Sequence, residues 1–538
     1  MGHHRCHRNK ATDRYLVLGR SGVEFVELES GKGTADHWTR GTCAYGVMPC
    51  NGLVYAPSHS CACYIQAKLN GFNALAARRE SPPPQADGPR LERGPAFGRK
   101  AASTPAGSSD WPTYRGDMAR SGLARAAVSL TLRRAWSTDI GGKLSSVVMA
   151  EGKVLVAQVD AHAVHALDGA TGERIWSYTA GGRVDSPPTI HKGLALFGCA
   201  DGWVYCLRAS DGQLGWRFRA APEERRIVAY EQVESAWPVH GSVLVIDDVA
   251  HFVAGRSAFV DGGMYLYRLE AQTGRQLSET HIDMRDPKTG EEPQELVRGT
   301  HMKGALPDVL ASDGTSIFMR HVRFDRNGVE QEQNVPHLYS PAGFLDDAWW
   351  HRTYWIVGTS TASGWGGWPR VGNIVQSGRL LVVDSAAVYG FGRSKYATSG
   401  AHVGLGDVRY RLYAAEKELE RVKPKPRPAG TRRRQPRPTT KVAYRWMQEV
   451  PLIARTMILA GDTLFLAGPP DLPDRPDDGL AAIYGGKGGV LWAVSARDGT
   501  KVAEYALDEP PVFDGMAAAN GRLYLATTDG KVACFAAR

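Results

Sequence analysis

Residues 166–176 read Ala-Leu-Asp-Gly-Ala-Thr-Gly-Glu-Arg-Ile-Trp, and they constrain the fold more than any other stretch of the chain. A short apolar run ends at Asp168, a Thr-Gly turn follows, and Trp176 stands four residues after Gly172. A degraded copy spans residues 207–216 and keeps Asp211, Gly212 and Trp216, and fainter copies lie at 268–274 and 493–499. Recurrence at roughly 40 residues marks an array of small sheets, each of which buries its faces only against its neighbours.

The chain's 538 residues exceed one ordinary core unless that core is a repeat array. Its 61 Gly and 14 Trp, with apolar residues broken into short runs, favour turn-rich β structure over helices. Asp-Gly pairs at 201–202, 313–314 and 529–530 sit between alternating runs, a strong hairpin signal. The expected class is all-β, a β-propeller of about seven or eight four-stranded blades, because a closed ring leaves only short edges.

The chain divides by composition. Residues 1–76 hold two hairpin patterns and five of the eight cysteines, and they are expected to complete the ring, since the last strands need a partner. Residues 77–110, with Pro82-Pro83-Pro84, read as an exposed linker. Residues 111–415 carry the main blades with insertions, 416–441 read as a basic, Pro-rich disordered insertion, and 442–538 resume the blades. Net charge is +9, and residues 421–441 alone carry nine Lys and Arg with no acid, so the remainder is near neutral. That excludes a basic body built for nucleic acid, and the segment has no aromatics to stack on bases. No uncharged apolar run is long enough for a membrane helix, and no signal-peptide core is visible.

The pattern Ala166-x-Asp168-x-x-Thr171-Gly172-x-x-x-Trp176 resembles the tryptophan-docking repeat of propellers related to pyrroloquinoline quinone (PQQ) dehydrogenases. Trp111-Pro112-x-Tyr114-Arg115-Gly116 resembles the segment that often precedes such arrays. His3-His4-Arg5-Cys6, Arg40-Gly41-Thr42-Cys43, the run from Gly46 to Gly52 and the run from Phe344 to Arg352 resemble large PQQ-like propeller proteins of planctomycete-type bacteria. The resemblance implies that an indole on one blade stacks on the Gly-containing turn of the next. It also implies a periplasmic or extracellular home and a longer N-terminus with a secretion signal, so the start is read as truncated.

Candidate sites lie mostly where the repeat fails. His3, His4, Cys6, Cys43, Cys50, His59, Cys61 and Cys63 form a mixed set suited to zinc or copper, but their spacing matches no finger. In an oxidising compartment the same cysteines read as two disulfides within Cys6 to Cys63. Asp346, Asp347, Trp349, His351 and Arg352, with Trp365 and Trp368, form a polar-aromatic stretch that reads as a loop folded over one propeller face, with a ligand loop for a sugar or peptide, or acid–base chemistry, as the alternatives. Asp168, Gly172, Trp176, Asp211, Gly212 and Trp216 read as structural. No nucleophile elbow, phosphate loop or His-Glu-x-x-His is present, so no catalytic residue is assigned. The expected function is a non-catalytic scaffold, monomeric, that binds a protein, small molecule or glycan on one propeller face. The alternative is a PQQ- and calcium-dependent dehydrogenase with a central-channel Asp. It wants an adjacent Cys-Cys pair, which this chain lacks. A second alternative is metal binding by the N-terminal His/Cys set.

Overall fold

The computed structural model of the chain describes residues 8–19, 22–36, 38–39, 41, 45–57, 69, 71–77, 88–99, 107, 109–292, 297–298, 301–302, 304–307, 309–333, 335–341, 343–345, 355–359, 374–393, 409–423, 439–472 and 474–538. Between residues 132 and 538, besides two two-stranded ribbons at 226–235 and 297–302, the described strands form eight successive antiparallel sheets of three or more strands. Their innermost strands are Val148–Ala150, Thr189–His191, Leu244–Ile246, Leu310–Ser312, His337–Tyr339, Leu380–Val383, Thr456–Ala460 and Pro511–Ala519. Strands adjacent in the chain pair in each sheet, and in the first four sheets they do so across short turns. One continuous apolar cluster joins the first sheet to the last two through Val154, Phe465 and Leu523. The chain is a β-propeller.

The last sheet shows how the ring closes. Lys531–Ala537 pairs antiparallel with Leu132–Asp139 from Leu132↔Ala537 to Asp139↔Lys531, so the first strand of the array is the outer strand of the final sheet. The sequence reading assigned that closing role to residues 1–76. In the structure the N-terminal residues instead make two sheets of their own, within residues 10–36 and 48–76. They meet the ring where Trp38 stacks on Phe259 with ring centroids 6.3 Å apart.

Two stretches expected to be irregular contain ordered strand. Leu91–Arg93, inside the expected linker, is a fifth strand on the outer edge of Leu214–Arg219. Tyr410–Val422 and Thr439–Val450 run on as a paired ribbon as far as Val422↔Thr439, so residues 416–422 and 439–441 are not loop. Alternating residues satisfied a strand there, and the charge of the segment hid it. Residues 424–438 lie outside the described residues. Among the described residues no helix is long and apolar enough to cross a membrane.

Candidate functional site

Four seams of the ring are fastened by an indole. The Trp176 ring lies over Gly212, where a Cβ would stand 2.7 Å from it, and Trp176 Nε1 donates to Ala209 O at 2.9 Å. Trp216 lies in the same way on Gly274 and donates to Ala271 O at 3.1 Å. Trp136 on Gly172 and Trp446 on Gly499 repeat the contact, with bonds to Gly169 O at 3.3 Å and Ala496 O at 3.0 Å. All four glycines have φ between +70 and +83, a left-handed turn that also lacks room for a side chain. Asp168 shapes its turn by accepting the Ala170 and Thr171 amides at 2.8 and 2.9 Å. These bonds hold its carboxyl below the usual carboxylate range. Trp136 and Trp446 were missed as fasteners because no Gly turn precedes them: Leu132 and Val442 stand where Gly172 and Gly212 stand before Trp176 and Trp216. Their signal was the position on an outer strand. Where the repeat weakens, Ser278 and Ala503 occupy the position four residues after Gly274 and Gly499.

The axis of the ring is filled by the chain itself. Residues 110–124 bond to the innermost strands of six sheets. Trp111 exchanges backbone bonds with Met149 at 2.7 and 2.9 Å, and Pro112 O accepts from the Ile190 amide. Met118 O accepts from Ser312, Ser121 O from Val383 and Gly122 O from Leu459. Leu123–Ala124 runs parallel to Leu459–Ala460. The sixth contact is charged: Arg115 Nη1 meets Asp514 Oδ1 at 2.7 Å, and the Tyr114 hydroxyl donates to Asp514 Oδ2 at 2.7 Å. A segment this short reaches strands on opposite sides of a ring only from inside it.

Most polar groups of this plug have a partner, Arg120 Nη2 being an exception. Arg115 lies over the Trp355 ring at 4.2 Å and donates to Leu381 O. Arg120 is fully buried and donates to Leu310 O, Thr113 Oγ1 and Tyr114 O. Burial lowers its pKa to about 10, and burial followed by the Asp514 charge raises that of Tyr114. The one carboxylate of the last inner strand that faces the axis here, Asp514, is therefore spent on Arg115 and Tyr114.

A second buried network sits where the second and third sheets return to their inner strands. Arg183 binds Asp185 at 2.6 Å and Glu234 at 2.9 Å, Arg256 also binds Glu234, and His240 Nδ1 meets Asp185 Oδ2 at 2.9 Å. Burial alone would raise the Asp185 pKa, but the His240 bond and Arg183 bring it to about 2. Three Arg and Asp/Glu ion pairs with one histidine make a self-neutralised brace.

The sequence candidates fall differently. His3, His4, Cys6, Cys43, His59, Cys61 and Cys63 lie outside the described residues, as do Asp346, Asp347, Trp349, His351, Arg352, Trp365 and Trp368. Cys50 is exposed and free, while Cys199, Cys206 and Cys534 are buried and free. Among the described residues no group of three His, Cys, Asp or Glu side chains converges to hold a cation. The chain also lacks an adjacent cysteine pair.

A family model described as PQQ_2, outer membrane protein assembly factor BamB, matches residues 122–343. No curated protein matches the chain. Among solved structures, quinohemoprotein alcohol dehydrogenase from Comamonas testosteroni is 15% identical and covers 81% of this chain and 81% of its own, with a TM-score of 0.46. BamB from Moraxella catarrhalis is 15% identical over 75% of this chain and 99% of its own, with a TM-score of 0.41. A europium-containing methanol dehydrogenase is 11% identical over 80% of this chain and 98% of its own, with a TM-score of 0.44. Enzymes and an assembly factor stand side by side in this set, and at these identities no activity follows from any of them.

Proposed function

We propose that this chain, whose residues 122–343 carry a PQQ-like repeat domain, is a non-catalytic propeller scaffold acting outside the cytoplasm, binding a protein, small molecule or glycan at its faces and edges. What supports the reading most is the filled axis. Arg115, Arg120 and Tyr114 occupy the space on which a propeller's inner strands converge, and they use Asp514 as an internal counter-ion. A substrate or quinone would have to displace a buried ion pair, which leaves an uncompensated charge. The family description, an assembly factor, supports a protein partner and an extracytoplasmic location.

The alternative is a PQQ- and calcium-dependent dehydrogenase. Titrating the purified chain with PQQ and Ca²⁺, and following quinone absorbance and dye reduction by alcohols, separates the two. The scaffold reading expects no saturable complex and no turnover. A stoichiometric complex with alcohol-dependent dye reduction overturns it. Metal binding by the N-terminal His/Cys set remains the second alternative, and elemental analysis of the chain purified without chelator tests it. Fractionation of cells producing the full-length protein tests the location.

A further inference from the structure

The seam between the seventh and closing sheets has no indole fastener among the described residues. Ala503 stands there, four residues after Gly499, at the position that Trp176 and Trp216 hold in the first two sheets. No turn exists to receive an indole there, because the outer two strands of the closing sheet come from opposite ends of the array, at Lys531–Ala537 and Leu132–Asp139. The Tyr505 hydroxyl bridges the gap instead, meeting Leu130 O and the Leu132 amide. Beside it lies a groove of about 440 Å³ lined by Leu132, Arg134, Tyr505, Leu507, Ala533 and Phe535. The outer edge of Lys501–Leu507 opens onto it through Glu504 and Ala506, and no described strand pairs with that edge.

The second sheet shows what such an edge accepts in this protein. Leu91–Arg93 pairs antiparallel with Leu214–Arg219, with Leu91 opposite Phe218 and Glu92 opposite Arg217. The Arg219 amide donates to Arg90 O at 2.7 Å, and the Gly94 amide to Gly215 O at 2.8 Å. The outward backbone groups are thus those of residues 215, 217 and 219. Glu92 meets Arg217 at 2.6 Å. Leu91 reaches over the next sheet's turn at Gly274, and Arg90 crosses the seam to Glu279 at 2.8 Å. A strand added to an outer edge here therefore covers the seam with the following sheet. Counting from Gly212 and Gly499, Arg217, Phe218 and Arg219 correspond to Glu504, Tyr505 and Ala506. The edge is equivalent, but its central charge is reversed.

We propose that the groove beside Lys501–Leu507 takes an extended segment of a partner protein, added antiparallel as a sixth strand, with an apolar residue opposite Tyr505 followed by a Lys or Arg opposite Glu504. Backbone pairing to residues 502, 504 and 506 supplies the affinity, the groove takes the apolar side chain, and Glu504 selects the basic one by exchanging its exposed pair with Lys501 at 2.5 Å, a weak surface contact. The exposed Arg134–Asp508 pair at 2.5 Å spans the same rim and opens at little cost, because surface pairs contribute little. The inference rests on the scaffold reading only in taking a protein as the ligand.

The test uses the full chain and a fluorescein-labelled peptide of residues 89–97 carrying Glu92→Lys, followed by fluorescence anisotropy. Saturable binding is expected, weakened about tenfold or more by Ala506→Pro, which removes an outward amide and is tolerated on an edge. Glu504→Lys should abolish binding of this peptide and confer binding of the unmodified 89–97 peptide, a charge swap that stands even where the proline variant fails to fold. Hydrogen exchange should slow at the Glu504 and Ala506 amides of the complex. Absence of saturable binding, equal binding by Ala506→Pro, or protection confined to other strands overturns the proposal. So does sedimentation showing a dimer of the chain that Ala506→Pro dissolves, since the occupant is then a second copy. None of these outcomes bears on the PQQ and Ca²⁺ titration, which judges the scaffold reading separately.

Discussion

Gly212→Ala isolates the fastener at the seam of the first two sheets. Gly212 has φ +72, and a Cβ there would stand 2.7 Å from the Trp176 ring. Gly152 has nearly the same backbone, φ +75, with nothing within 4 Å of the corresponding Cβ. Both substitutions place an L-residue in the left-handed region, at about 1–2 kcal/mol. Only Gly212→Ala also forces an indole out of a packed seam, at about 1–3 kcal/mol more. The expected destabilisation is therefore about 2–5 kcal/mol for Gly212→Ala against about 1–2 kcal/mol for Gly152→Ala. Guanidinium unfolding, extrapolated linearly to water, measures both. The decisive arm is a double-mutant cycle with Trp176→Ala, which removes a largely buried ring at about 3–5 kcal/mol. In that background Gly212→Ala should fall to the cost of Gly152→Ala, giving a coupling of about 1–3 kcal/mol. Equal costs for the two glycines in the wild-type background, or no coupling to Trp176, would refute the reasoning.

Three further outcomes are expected. Asp514→Asn keeps a residue tolerant of φ +52 but leaves Arg115 buried without its counter-ion, so stability should fall by about 3–5 kcal/mol in the same unfolding assay. Burial, then Arg174 and Arg268 respectively, depress His165 and His251 to about 4. The unfolded chain therefore binds more protons between pH 4 and about 6.5, and stability is complete above that window and drops as pH falls through it. Calorimetry from pH 7 to 4 should show a falling Tm, with a shallower slope in His251→Gln; a flat profile counts against the burial of both imidazoles. For the cysteines, two disulfides within Cys6 to Cys63 leave four of the eight thiols reactive in the denatured, unreduced protein, and a titration that finds all eight would remove them.

The repeat was legible because its causes are local. An Asp that caps its own turn, a glycine that tolerates positive φ, and alternating apolar residues on either side all act within a dozen residues of one another. Trp176 and Trp216 could be read as fasteners from the same spacing. Leu91–Arg93 could not, because Pro and Gly around it mark a linker and only the free edge of Leu214–Arg219 recruits it as a strand. The paired strands Tyr410–Val422 and Thr439–Val450 were obscured for a related reason, since the charge and prolines of residues 416–441 dominate a composition window that the strands only enter at its ends.

From sequence alone came the all-β class, the repeat unit and the turn chemistry, since these depend on backbone sterics and side-chain period. Tertiary structure alone decided three things. The ring closes with Leu132–Asp139 against Lys531–Ala537, the axis is filled by residues 110–124, and Asp514 pairs with Arg115 across 399 positions of chain. No periodicity encodes such pairings. They follow from which strand edges and which buried charges remain unsatisfied once every local unit has formed, and only the closed ring brings those leftovers within reach of one another.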